Sequence, residues 1–201
     1  TFPARWLGKG DGMMIVRWVV DHFESNLPTD SLNELFDRYL AYLNGGDGKD
    51  MIGGDDGNDT ITDGGGLQDI YGGNGNDTII VAETSSTESY FGGAGTDTFR
   101  YTGGGNVNID LAAETATDAF STSVVEGFER ADGSTGNDTL TGDSSNNTLV
   151  GNAGDDTLTG DGGVDYLYGG NDNDTLYGGF GTDSLFGGAG DDVLYGGFTY
   201  N

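Results

Sequence analysis

The stretch GNAGDDTLTGDGGVDYLYGGNDNDTLYGGFGTDSLFGGAGDDVLY, residues 151–195, repeats every nine residues. The same frame reaches back to residue 133 through GSTGNDTLT and GDSSNNTLV, so seven units stand in phase. Position eight is leucine in every unit, from Leu140 to Leu194, and position six is aspartate in all but one, where it is Asn147. A disordered Gly- and Asp-rich linker has no reason to keep one apolar residue at one phase through seven units, so a repeating structural element is indicated.

Each unit divides into six residues that turn and three that extend. In the extended part, T-L-T or Y-L-Y, side chains alternate, so only the middle residue faces inward. One apolar residue per unit then supports a narrow core. Two units with their strands facing each other make one coil, which puts residue i beside residue i+18 and predicts an all-β parallel roll. In the turn, glycines at positions one, two and four permit positive φ and let carbonyl oxygens point towards a common centre.

A first block keeps the same frame over residues 45–80: GGDGKDMIG, GDDGNDTIT, DGGGLQDIY and GGNGNDTII, with Ile52, Ile61, Ile70 and Ile79 at position eight. Residues 81–91 interrupt it, although Tyr90 falls two residues before the next Gly-Gly, where an apolar residue belongs. GGAGTDTFR, residues 92–100, adds one more unit around Phe99. The connection 101–132 is irregular, but NVNIDL alternates Val107, Ile109 and Leu111 as a half-buried strand would, and SVVEGFER, residues 123–130, reads as a further rung. The second block then runs over residues 133–201.

Residues 1–43 differ in kind and form a separate region. They hold both tryptophans, both prolines, the only histidine (His22) and four of the seven cationic residues. MMIVRWVVDHF, residues 13–23, fits a buried helix or a strand, helix being preferred. SLNELFDRYLAYL, residues 31–43, has helical spacing, with Ser31 and Glu34 as a capping box. These residues are expected to form a mainly helical cap, Leu35, Tyr39 and Leu43 covering the first coil, or the tail of an upstream domain.

The net charge is −27, there is no Lys or Arg after Arg130, and residues 133–201 hold eleven Asp. Such a surface repels nucleic acid and anionic membranes, and the natural partner is a cation; a solvated acidic tail is the plainer alternative. No run of apolar residues reaches the roughly 18 of a membrane span, and no secretory leader opens the chain. The chain has no cysteine, which removes disulfides and thiolate metal sites. Its start at Thr1 and its end at Asn201 read as those of a fragment of a larger protein.

Periodicity converts the charge into a site. In a roll Asp138, Asp156, Asp174 and Asp192 stack along one edge, and Asn147, Asp165 and Asp183 along the other. Carboxylates spaced by one coil, about 5 Å, repel unless a cation lies between them. An all-oxygen cage of carboxylates and flexible carbonyls suits calcium better than magnesium, which prefers to keep its water.

These units, G-G-x-G-x-D-x-U-x, resemble the RTX or haemolysin-type calcium-binding nonapeptide repeats, across twelve units and about 108 residues. The resemblance implies a right-handed parallel β-roll loaded with calcium. It implies sites in which carbonyls at positions two and four and the Asp of one turn meet carbonyls at positions one and three and the Asp of the next turn on that edge. On this chain those are Asn152, Gly154 and Asp156 with Gly169, Asn171 and Asp174; Asp161, Gly163 and Asp165 with Gly178, Phe180 and Asp183; and Gly170, Asp172 and Asp174 with Gly187, Ala189 and Asp192. Ser134, Gly136 and Asp138 would likewise meet Gly151, Ala153 and Asp156, and Asp55, Gly57 and Asp59 would meet Gly72, Asn74 and Asp77. Gly46, Gly48 and Asp50 would meet Asp63 and Gly65, a weaker site because Gln68 replaces its second carboxylate. Asn147 opposite Asp165 weakens another, Ser145 and Asp172 replace the position-four glycine, and the turn after Asp183 lacks an Asp. About five good calcium sites and up to three poorer ones are expected.

Membership implies a secreted or cell-surface bacterial protein, exported by a type I system and folding on calcium outside the cell, where it stabilises or displays a larger protein. No catalytic activity is expected: His22 has no H-E-x-x-H companion, there is no G-x-S-x-G elbow, and GGAGTD lacks the lysine of a phosphate loop. The alternatives are a surface-layer or adhesin-type assembly module, and the non-catalytic part of a secreted hydrolase or epimerase. Tyr168, Tyr177, Phe186 and Tyr195, all at position nine, would form aromatic ladders on the outer faces. Packing against flanking backbone is the preferred reading of these, ahead of a self-association surface or contact with an upstream domain.

Overall fold

The computed structural model describes residues 43–44, 49–63, 67–82 and 87–198. The expected helices over 13–23 and 31–42, their cap over the first coil, and Gly46, Gly48 and Gly65 lie outside these residues. Leu43 is a correction to the helix expected over 31–43. Leu43–Asn44 is a strand with Leu43 opposite Ile61, because Leu43 falls nine residues before Ile52 and so keeps the phase of position eight.

Two sheets face each other. The first has eight strands in the order Leu43–Asn44, Thr60–Thr62, Thr78–Val81, Thr98–Tyr101, Arg130–Asp132, Thr148–Ala153, Tyr166–Asn171 and Ser184–Ala189. The second has ten: Lys49–Gly53, Leu67–Asn74, Ser89–Ala94, Thr122–Glu126, Thr115–Thr117, Asn108–Asp110, Thr139–Thr141, Thr157–Thr159, Thr175–Tyr177 and Val193–Tyr195. The chain alternates between the sheets, a parallel β-solenoid of about eight turns. Throughout the second block the register is the predicted one: Leu140 stands opposite Leu158, Leu158 opposite Leu176, and Leu149 opposite Leu167.

The core is a double column of the position-eight residues. Ile61, Ile70, Ile79, Tyr90, Phe99, Ile109, Leu140, Leu149, Leu158, Leu167 and Leu176 are fully buried. Each such side chain contributes about 1.5–3 kcal/mol on leaving water, so a single inward residue per unit suffices because the next coil covers it. The column fades at its end: Leu185 is only partly buried, and Leu194 is 44% exposed because no described strand follows it. In the first block Val81 and Tyr101 also turn inward, one residue beyond the three-residue strand expected from the repeat.

The irregular connection forms a reversal inside the second sheet. From Thr98–Tyr101 the chain crosses to Asn108–Asp110, beside Thr139–Thr141, turns back as the antiparallel strand Thr115–Thr117, and returns as Thr122–Glu126 beside Ser89–Ala94. Val107, Ile109 and Leu111 are buried as their alternation predicts. The first sheet absorbs this detour without a gap, since Phe99 stands directly opposite Ala131.

Candidate metal centre

The turns before each strand stack along the two edges of the roll, and their position-six carboxylates share one bonding pattern. One oxygen accepts the main-chain N–H of the equivalent residue in the preceding coil. On one edge Asp138 N–H donates to Asp156 Oδ1 (2.7 Å), Asp156 to Asp174 (2.9 Å) and Asp174 to Asp192 (3.0 Å). On the other, Asp59 donates to Asp77 (2.9 Å), Asp77 to Asp97 (2.7 Å), Asn147 to Asp165 (2.8 Å) and Asp165 to Asp183 (3.1 Å).

The second oxygen is left over. Oδ2 of Asp77, Asp97, Asp156, Asp165, Asp174 and Asp183 is buried and accepts no hydrogen bond from the protein. A buried carboxylate oxygen without a donor is costly, so these atoms call for a partner of positive charge. The position-one glycine marks where that partner would be. A Cβ on Gly151 would press on both Asp156 Oδ2 and the Gly169 carbonyl, and one on Gly169 on Asp174 Oδ2 and the Gly187 carbonyl. Gly160 has the same relation to Asp165 Oδ2 and the Gly178 carbonyl. The absent side chain thus leaves carboxylate and carbonyl oxygens facing a common space, a donor set of hard oxygens that fits calcium.

Burial pushes these acids up. The Asp156 carboxyl rises to about 7 and that of Asp165 to about 6, desolvation leading and neighbouring aspartates adding to it. Asp77, Asp97, Asp138 and Asp174 are raised for the same leading reason. Among the described residues no three acidic or imidazole side chains form a metal-holding group; the turns offer two carboxylates supplemented by carbonyls.

Main-chain conformation separates the turns into two kinds. Position two has positive φ at Asp55, Asn152 and Asp161 as well as at its glycines, and position four keeps it at Asp172 (φ 73). Asn and Asp tolerate this region better than other side chains. Turns 133–138 and 142–147 lack it at both positions. There the N–H of position two folds back onto its own turn: Ser134 donates to Asp138 Oδ2 (2.6 Å) and Asp143 to Asn147 Oδ1 (2.8 Å). The half-site of Ser134, Gly136 and Asp138 therefore differs in shape from those built on Asn152 and Asp161.

The structure brings together Asp156 with Asp174, Asp174 with Asp192, Asp165 with Asp183, and Asp59 with Asp77. In the strands Asn152 stands opposite Gly170, and Asn171 opposite Ala189. Asp50 stands opposite Gln68. Asp63 is expected to offer its main-chain carbonyl; its side chain is engaged separately, Oδ2 accepting the buried Tyr90 hydroxyl at 3.0 Å, and Glu88 Oε2 accepts the same hydroxyl at 2.6 Å. The pairing of Asp77 with Asp97 was not in the expected set, because the insertion at 81–91 moves the step from 18 residues to 20. Tyr90, with Gly92 and Gly93 after it, carried the signal that the coil resumes.

The family model of the RTX calcium-binding nonapeptide repeat matches the chain in four copies, over residues 44–79, 132–167, 141–176 and 168–199, together more than half of its length. The chain belongs to this RTX family. Its repeats are calcium-binding, and the fold they build here is the β-roll of stacked turns. No curated protein matches the chain by sequence. The family assignment gives the unpartnered oxygens of Asp77, Asp156, Asp165, Asp174 and Asp183 their meaning, since the matched RTX turns that carry them are a calcium-binding element.

Proposed function

We propose that this module folds when its RTX turns take up calcium outside the cell, after export as an unfolded chain, and that it stabilises or displays a larger extracellular protein. The observation that carries the reading is the row of buried Oδ2 atoms without a donor, each beside a carbonyl of the next turn. A bound calcium ion supplies the positive charge these oxygens lack.

Asp156, Asn152 and Gly154 hold one half of the best site, and Asp174, Gly169 and Asn171 the other. Equivalent pairs are Asp165 with Asp183, Asp174 with Asp192, Asp59 with Asp77, and Asp77 with Asp97. The folded-back turns at Asp138 and Asn147 make poorer half-sites. At the low free calcium of a cytosol, charged columns at one-coil spacing oppose the roll; at millimolar calcium, binding to the folded form alone draws the equilibrium over. Extracellular modules bind calcium at roughly 10⁻⁴–10⁻³ M, which suits such a switch.

Small-angle scattering in chelator and in millimolar calcium tests the reading. An expanded chain that collapses to a compact rod on adding calcium is expected. A rod of unchanged dimensions in chelator would contradict it.

Assembly through the outer faces has one observation in its favour. Tyr168 and Phe186 stack at 4.9 Å with ring planes 7° apart, as do Tyr177 and Tyr195 at 4.9 Å and 4°, and all four rings are exposed. A calcium-dependent rise in sedimentation coefficient with protein concentration would favour this reading, and a monomer at every concentration would exclude it.

A further inference from the structure

The first-sheet edge continues through a segment that the RTX matches leave out, residues 80–131. There Gly127, Phe128 and Glu129 replace a six-residue turn: Glu126 stands opposite Phe91 before it, and Arg130 opposite Thr98 after it. Phe128 is buried with its ring edge-on to Phe99, centroids 5.6 Å apart, so the short turn is packed onto the core. One residue stands where a repeat has four, and the longer side chain of glutamate restores the lost reach. Asp97 N–H donates to Glu129 Oε2 at 2.8 Å, the bond that Asp77 N–H makes to Asp97 Oδ1 one coil earlier.

Asp97 is fully buried, and its Oδ2 accepts no hydrogen bond. A Cβ on Gly92 would press on the Gly127 carbonyl and lie 2.9 Å from Asp97 Oδ2, so both oxygens border one space. The Gly93 carbonyl is 3.6 Å from the point a Gly127 Cβ would occupy. We propose that Asp97 and Glu129, with the Gly93 and Gly127 carbonyls, form a calcium-class cation site whose second half, the shortened turn of Gly127 and Glu129, lies outside the nonapeptide pattern, and that it clamps the first stack of turns to the second. This rests on the reading that the RTX turns take calcium.

The clamp belongs to this edge. On the opposite one, Ser123 and Val107 stand at the levels where the detour meets the two blocks, and neither brings a carboxylate. The shortened turn has no position-three residue to give a carbonyl, so water completes the shell, and the junction fills at higher calcium than the site of Asp156 and Asp174.

Equilibrium dialysis of the full chain at saturating calcium tests the site. Glu129→Gln keeps an acceptor for Asp97 N–H and should bind one ion fewer than the unaltered chain, with the same circular dichroism. Glu129→Asp, which keeps the charge but not the reach, should lose the same ion. Asp156→Asn is the control for the RTX turns. If Asp156→Asn lowers the count and both Glu129 variants keep it, the junction site is wrong and the RTX reading stands; if the unaltered chain binds no calcium, both fall.

Discussion

Asp156 donates its main-chain N–H to Asp174 Oδ1 at 2.9 Å, while Oδ2 of each residue is buried with no donor. The hydrogen bond holds the carboxylate of one coil against the backbone of the coil before it, and so fixes where the second oxygen points. One residue type at one position thereby sets coil spacing and leaves a metal-ready oxygen.

Removing one such carboxylate should weaken calcium binding without changing the roll at saturation. For Asp165→Asn the apparent affinity should fall at least about 10-fold, the loss seen when even an outer-shell partner of a metal ligand is removed. Isothermal titration calorimetry reads it. An unchanged isotherm would remove Asp165 from the ligand set.

The cradle can be filled instead of stripped of charge. Gly151→Ala puts a methyl group where Asp156 Oδ2 and the Gly169 carbonyl converge, and should abolish one site. Gly104→Ala meets nothing within 4 Å and is the matched control, expected to leave the calcium count unaltered. Equal effects of the two substitutions on that count would show that the space has no role.

The inner column should be costly to empty. Leu158→Ala removes a fully buried side chain between Leu140 and Leu176 and should destabilise the calcium-loaded roll by about 2–5 kcal/mol. Leu194→Ala, at a 44% exposed position, should cost much less. Chemical denaturation at fixed calcium compares them.

Acid and calcium should act as alternatives. Burial raises Asp156 to about 7 and Asp165 to about 6 from the ordinary 3.8. Without calcium, the folded roll keeps protons that the unfolded chain has released between about pH 4 and 7. Its stability is therefore greatest below pH 4 and is lost as pH rises through 6 to 7. Calcium must displace those protons, so its affinity falls as pH drops below 7 and binding releases protons there. Far-UV circular dichroism of calcium-free protein should show more strand at pH 4 than at pH 8; equal spectra would contradict the sign.

Much of this was legible in the sequence because the period of nine couples fold and site. The leucines from Leu140 to Leu176 marked the core, and the aspartates six places into each unit marked the edges. The reversal through Thr115–Thr117 was not legible, since no repeat governs residues 101–126 and an antiparallel return has no periodic signature. Glu129 was hidden for a related reason: it does the work of a position-six aspartate from a turn three residues shorter. Ser134 and Asp143 illustrate the opposite limit, where an intact nine-residue frame holds a folded-back turn: aspartate takes the left-handed region at position two in Asp55 and Asp161 but not in Asp143, so residue type alone did not announce it.

The most direct measurement is a calcium titration followed by far-UV circular dichroism, on the unaltered chain and on Asp156→Ala combined with Asp174→Ala. The unaltered chain should gain strand signal cooperatively as calcium rises, and the double variant should fail to do so in the same range. Full strand signal in chelator at neutral pH, or an identical titration of the double variant, would contradict the account.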